Sequence, residues 1–405
     1  MDSIGQRGIY FLINSLAGGG AERVVVNLSK HLPVKKILLL EKDVSYETNS
    51  PLEFISNHNK EKSALLKTLF IPFYAKRLAK VINEDDLVVS FLGRANFVNV
   101  LSKAFKPHKG VISVRTTEDG FRGLKSINKQ LMKFFYPRAD FVIAVSFGVA
   151  KYLEEKYKVS KDKLAVIYNP VDVEKIQALV KEPLEIDLSP YVITVGRLTE
   201  AKGQWYLLRV FKEIKKVFPE IRLLIFGEGE LKNYLVNFSE SLGLKTYLYD
   251  RDRLEKGYDV YFMGFSKNPF NYISKAKAFL LTSLWEGFPN VLIEALACGV
   301  CVISSDCRSG PREILAPDTD FNFQTKEPEI AKYGILMPVF EIKYIGAKEP
   351  ITEKEKMWVE IVEKVLVDEK LRKDYAEKGK ERAKDFSLEK ILQKWKEVLG
   401  YLGGI

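Results

Sequence analysis

Short runs of apolar residues recur along the chain at Gly8–Leu16, Lys36–Leu40, Leu87–Phe91, Val111–Val114, Phe141–Val145 and Leu164–Ile167, most of them separated by stretches long enough for a helix. Runs of this kind read as strands, and their alternation with helical stretches predicts a parallel sheet covered on both faces. The pattern pauses over Lys181–Pro190, a polar segment with two prolines, and restarts at Tyr191–Gly196. The second half repeats the logic with Ile221–Phe226, Val260–Met263, Ala278–Thr282 and Val300–Ser304. The fold class is therefore α/β, two doubly wound parallel-sheet domains in tandem, over residues 1–180 and 181–386. Residues 387–405 read as an amphipathic helix expected to pack back on the first domain. Ligands of such sheets bind at the carboxyl ends of the strands, so two domains facing each other would enclose a cleft built from strand-end loops.

Composition narrows the class. With 405 residues, 46% apolar and 29% charged, the chain is long enough for two cored domains, and disorder and collagen are excluded. Cys298, Cys301 and Cys307 are too few for a disulfide framework and lack the partners of a zinc site, so they are expected as small core residues in a reducing, cytoplasmic compartment. No apolar run approaches the ~20 residues that cross a bilayer, and no basic, apolar leader opens the sequence. The expectation is a protein neither exported nor transmembrane. The net charge of +10 sits wholly in residues 1–180, while the rest is balanced, so the first half is expected to face something anionic.

The chemistry concentrates in two stretches. Trp285–Gly299 reads as a strand-to-helix turn with Pro289 near the helix start and Gly299 at its stop. Glu286 lies in the turn and Glu294 about one helical turn inside, where both can reach a polyhydroxylated ligand, and the helix N-terminus attracts phosphate. Gly196–Gly203, directly after the first strand of the second domain, puts Arg197 and Lys202 on one loop, a pairing suited to a diphosphate without a metal. No Asp-x-Asp stands at a strand end, which weakens any case for catalytic Mg²⁺.

Together these residues resemble glycosyltransferase family 4, of the GT-B fold. Glu286 and Glu294 form E-x7-E, Gly196–Gly203 matches G-R-x4-K-G, and Gly18–Glu22 matches the family's N-terminal glycine turn. Asn169–Asp172, Gly227-Glu228-Gly229 and Ser309–Ile314 extend the likeness across both domains. The resemblance implies a retaining, metal-independent enzyme without a cofactor. It would move a hexose or N-acetylhexosamine from a nucleoside-diphosphate sugar, a UDP-sugar being favoured, to a glycan or polyprenyl-linked glycan. Arg197 and Lys202 would neutralise the leaving diphosphate, Glu286 would hold donor-sugar hydroxyls and Glu294 the ribose. The backbone of Gly287, Phe288, Pro289 and Asn290, with Gly196, Gly227 and Glu228, would complete the donor side. Gly18, Gly19 and Gly20 would approach the phosphate or acceptor. Many relatives carry a histidine or a particular polar residue after the strand at Val111–Val114, where this chain has Arg115-Thr116-Thr117-Glu118-Asp119. Arg115, Glu118 and Asp119 are acceptor-side candidates, and His31, His58 and His108, near a helix end and in polar turns, offer no general base.

Competing readings have distinct signatures. Gly18–Gly20, with Glu41 about twenty residues on, imitates a dinucleotide site, although Arg23 stands at the third glycine position. A sugar-nucleotide epimerase or hydrolase of the same fold would release free sugar. A basic nucleic-acid-binding module would show steeply salt-dependent affinity and no need of Glu286, so no nucleic-acid partner is expected. Lys62–Lys80 and Phe121–Arg138 interleave aromatic and aliphatic residues with basic ones, a composition suited to an anionic membrane surface, here the inner face of the cell membrane.

Overall fold

The computed structural model describes residues 7–59, 63–116 and 125–403. The chain divides into two compact units, Met1–Pro170 with Leu388–Ile405, and Val171–Ser387.

The first unit holds β1 (Ile9–Ile13), β2 (Val34–Leu39), β3 (Leu52–Phe54), β4 (Leu87–Phe91), β5 (Lys109–Val114), β6 (Phe141–Ala144) and β7 (Leu164–Val166). They form one sheet in the order β3-β2-β1-β4-β5-β6-β7, with every pairing parallel. All residues of β1, β4 and β6 are buried, the signature of a sheet covered on both faces. The helix Leu388–Tyr401 closes this core. Its buried residues Ile391, Leu392, Trp395 and Leu399 recur at helical spacing, and the Trp395 ring lies 6.0 Å from that of Phe91 on β4. Arg7 fixes its end by donating to the carbonyls of Leu402 and Gly403 at 3.2 and 2.9 Å.

The second unit holds β8 (Tyr191–Val195), β9 (Arg222–Phe226), β10 (Thr246–Leu248), β11 (Val260–Gly264), β12 (Phe279–Leu281), β13 (Val302–Ser305), β14 (Glu329–Ile330) and β15 (Ile335–Met337). The order is β10-β11-β9-β8-β12-β13-β15-β14, with only β14 antiparallel. The chain leaves β8 for β9 on one side and later returns to β12 on the other, so the sheet reverses direction at β8 and leaves a crevice at its carboxyl end. The helix Gln204–Val217 is anchored beside that crevice by Arg209. Its guanidinium is bound by Glu355, inside the Thr352–Glu355 capping box, and donates to the carbonyls of Gly346 and Pro350 at 2.7 and 2.9 Å.

Two sequence expectations shift. The unit boundary lies at Pro170/Val171, ten residues before the expected one, because the helix Val173–Leu179 packs on the second unit: Gln177 donates to the Ala297 carbonyl and Asn268 to that of Leu179. Four strands unmarked in the hydrophobic pattern also appear, β3, β10, β14 and β15, none longer than three residues.

Trp395 is 1% exposed inside the first unit's core. Replacing it with Ala should cost about 3–5 kcal/mol of stability, read by denaturant unfolding, and a loss below about 1 kcal/mol would show that the terminal helix does not complete the core.

Candidate active site

Four loops meet at the carboxyl ends of β8, β9, β12 and β13. The Gly196–Gly203 loop follows β8 and is clamped from both sides. Towards β9, Gly196 and Leu198 donate backbone N–H groups to the carbonyls of Phe226 and Glu228, each at 2.9 Å. Gly227, at φ +134°, sits so tightly that a Cβ would lie 2.0 Å from the Gly196 carbonyl oxygen. Towards β12, Leu284 donates to the Ala201 carbonyl at 2.7 Å and the Thr282 hydroxyl to the Lys202 carbonyl at 2.9 Å. The fourth loop, after β13, reaches the same place: a Cβ on Gly310 would strike the Pro289 ring at 2.4 Å. G-R-x4-K-G, G-E-G, E-x7-E and the Ser309–Ile314 stretch, dispersed over more than a hundred residues of sequence, thus form one surface.

The helix Asn290–Cys298 begins just after Pro289, which is its N-cap, and stops at Gly299 in the left-handed conformation. Glu294 is its fifth residue and is 7% exposed. Glu286 stands in the preceding turn, where the Ser283 hydroxyl donates to its Oε1 at 2.7 Å. Lys202 also donates to that oxygen, with the two side chains only 15% and 13% exposed. Arg197 is exposed, and its guanidinium makes no hydrogen bond or ion pair among the described residues; its carbonyl accepts from Gln204 at 3.1 Å. Tyr249 lies beside Glu228, and their hydrogen bond raises the phenol's pKa above its ordinary value. Behind the site, burial and then the Glu286 charge push the Cys307 thiol well above its usual pKa, which excludes thiolate chemistry there at neutral pH. All three cysteines are buried and unpaired.

The network under the fourth loop was invisible in the sequence. Arg312 bridges Asp306 and Glu329, each at 2.6 Å, and holds the segment that carries Gly310. Burial raises the Asp306 pKa against the pull of Arg312. Ser283 and Thr282 were equally unmarked, since a polar residue at a strand end has no distinguishing spacing.

In the first unit, the glycine turn leaves β1 with Gly18 at φ +109° and Gly19 as N-cap of the helix Gly20–Ser29. Glu22 folds over Gly19, where a Cβ would lie 2.2 Å from its carboxylate. Arg115, after β5, donates to the Asn169 side chain and lies with its guanidinium carbon 5.2 Å from the centre of the Phe91 ring. Burial lowers its pKa to about 10, with Glu22 pulling the other way, and its buried Nε has no hydrogen-bond partner among the described residues. Glu118 and Asp119 lie outside the described residues.

Glu41 is 6% exposed and bound by both Lys67 and Arg94, so it does not stand ready for a nucleotide ribose as a dinucleotide site would need. His108, in the stretch before β5, is buried at 7% exposure, 3.0 Å from Asn99 Oδ1 and from the Lys106 carbonyl, and burial lowers its pKa. Among the described residues no three His, Cys, Asp or Glu side chains gather as a metal-binding group.

Both halves of the chain match family models, residues 18–175 that of Glycosyltransferase Family 4 and residues 176–335 that of Glycosyl transferases group 1. An uncharacterized glycosyltransferase of Methanocaldococcus jannaschii is 38% identical over 363 residues, 84% of this chain and 86% of its own. The N-acetylgalactosamine-N,N'-diacetylbacillosaminyl-diphospho-undecaprenol 4-alpha-N-acetylgalactosaminyltransferase of Campylobacter jejuni is 31% identical over 97% of this chain and 98% of its own. The Anabaena protein HepE, solved in complex with UDP, superposes with a TM-score of 0.71 at 19% identity, over 97% of this chain and 100% of that one. Likeness of this extent in both units makes one assignment: the chain belongs to the family 4 glycosyltransferases and is a transferase of the GT-B fold.

Proposed function

We propose that this glycosyltransferase moves a hexose or N-acetylhexosamine from a UDP-sugar to a polyprenyl-linked glycan, with retention at the anomeric carbon and without a metal ion. The observation that carries the reading is that the loop bearing Arg197 and Lys202 meets the Glu286 turn, which leads into the helix carrying Glu294, at the switch point of the second sheet. A diphosphate placed there meets the exposed Arg197 guanidinium, the Lys202 ammonium and the backbone N–H groups at the start of the helix Asn290–Cys298. Those groups oppose the charge that grows as the diphosphate departs, the service a metal ion gives in other transferases. Glu286 then accepts hydrogen bonds from donor-sugar hydroxyls and Glu294 from the ribose. The C. jejuni relative, whose name specifies a diphospho-undecaprenol glycan acceptor, supports the acceptor class, and the UDP bound in HepE supports the base.

The first unit supports a peripheral contact with the inner face of the cell membrane. Its helix Ala64–Leu69 is inverted: Lys67 is 5% exposed and bound to Glu41, whereas Leu66 and Leu69 are 48% and 68% exposed. The next helix, Ile71–Val81, adds exposed Phe73, Lys76, Arg77 and Lys80. Apolar residues held outward among cations suit a bilayer with anionic headgroups. Among the described residues no helix is long and apolar enough to cross a membrane.

Three outcomes test this reading. In a thermal-shift and calorimetric panel of UDP, GDP, ADP and NAD, UDP should stabilise the wild type and lose most of its affinity with Glu294→Ala; NAD binding alone would overturn the assignment. Arg197→Ala should lower turnover by roughly 10²–10³ with melting unchanged, and activity should survive EDTA; free sugar released without acceptor would favour a hydrolase instead. Leu66→Ser with Leu69→Ser should cut binding to anionic vesicles at low salt at least about fivefold, and wild-type indifference to those vesicles would remove the membrane contact.

A further inference from the structure

The residues assigned to opposite ends of the donor are bound to each other. Lys202, assigned to the diphosphate, donates to Oε1 of Glu286, assigned to the sugar. The Lys202 backbone is fixed, because its carbonyl accepts from Thr282 and the preceding carbonyl from Leu284. Its side chain lies over Gly196, where a Cβ would meet Lys202 Cε at 3.2 Å, so the ammonium changes partner by side-chain torsion alone. Glu286 is steadied by Ser283, and only its Oε1 is engaged among the described residues. Both side chains are largely shielded from water, so the pair is stronger than an exposed one, and removing either partner leaves the other's charge poorly compensated.

Resting on the donor-site reading above, we propose that Glu286 discriminates the intact nucleotide sugar from the nucleoside diphosphate product. A diphosphate must take Lys202 from Glu286. With the intact donor, sugar hydroxyls hydrogen-bond the released carboxylate and offset its loss. Once the sugar has been transferred, the carboxylate keeps only Ser283 and stands close to an anion. Recapture of Lys202 then weakens the hold on the product and hastens its departure. The same carboxylate therefore favours donor binding and opposes product retention, two effects of opposite sign from one side chain.

The test is a double-mutant cycle with UDP as probe, read by calorimetry and by UDP inhibition of transfer. Glu286→Gln, isosteric with the native residue, should bind UDP at least about fivefold more tightly than the wild type and be correspondingly more sensitive to UDP inhibition; Glu286→Ala should shift UDP affinity in the same direction. Lys202→Ala should weaken UDP at least about tenfold, and in the Lys202→Ala background the Glu286→Gln gain should shrink to what direct repulsion between carboxylate and diphosphate leaves. Weaker or unchanged UDP binding in Glu286→Gln, alongside the Lys202→Ala loss, overturns the discrimination and leaves the donor site standing. Undiminished UDP affinity in Lys202→Ala overturns the donor-site reading and this inference with it.

Discussion

In the second unit, the backbones at the carboxyl ends of β8 and β9 touch with no room for a side chain between them. A Cβ on Gly227 would stand 2.0 Å from the Gly196 carbonyl oxygen, and one on Gly229 would stand 2.3 Å from that of Leu198. Gly203, at φ +58°, makes the same approach to the Thr282 carbonyl on the β12 side. These are backbone-to-backbone approaches, so no rotamer change relieves an added methyl group. The glycines allow a loop carrying two cations to be wedged into the switch point of a parallel sheet. Everything assigned to the donor depends on that wedge, because it fixes Arg197 and Lys202 relative to the turn that carries Glu286.

The wedge also divides the labour between the two cations. Arg197 points outward and keeps its charge uncompensated among the described residues, whereas Lys202 is turned inward on Glu286. A guanidinium is always ionised and weakly hydrated, so an exposed arginine attracts an incoming diphosphate at little desolvation cost. A compact ammonium on a flexible stem exchanges one oxygen partner for another more readily. Attraction and exchange are thus separated over residues five positions apart on one loop.

The regular framework was legible in the sequence because buried parallel strands such as Tyr191–Val195 and Leu87–Phe91 are apolar on both faces and end at glycine turns or polar loops. The short strands β10, β14 and β15 were not, since two or three residues fix no period and their pairing is decided by the neighbouring strand. The boundary expected after residue 180 lies at Pro170/Val171 for a related reason: a single buried residue, Ile176, anchors the apolar side of the helix Val173–Leu179, and sequence does not say whose core receives it. At the site, glycines and paired charges carried the signal through their spacing. Ser283, Thr282 and the Asp306–Arg312–Glu329 network act by contact across distant segments, which leaves no local pattern.

Burial of charge follows one rule in both units: a side chain leaves water only where opposite charge or a polar group receives it. Lys67 turns inward because Glu41 is there to meet it, and the leucines beside it are displaced to the surface as a geometric consequence of a six-residue helix. Swapping the helix face would bury about two leucines, worth roughly 1.5–3 kcal/mol each, but would take Lys67 from the buried Glu41 carboxylate, which Arg94 also binds. Arg115 tests the rule at its limit. Its Nε has no partner among the described residues, yet the guanidinium retains Asn169, the Phe91 face and the field of Glu22. With its pKa lowered only to about 10, it stays cationic at neutral pH and keeps a positive charge at the carboxyl end of β5, on the sheet whose β1 leads into the glycine turn.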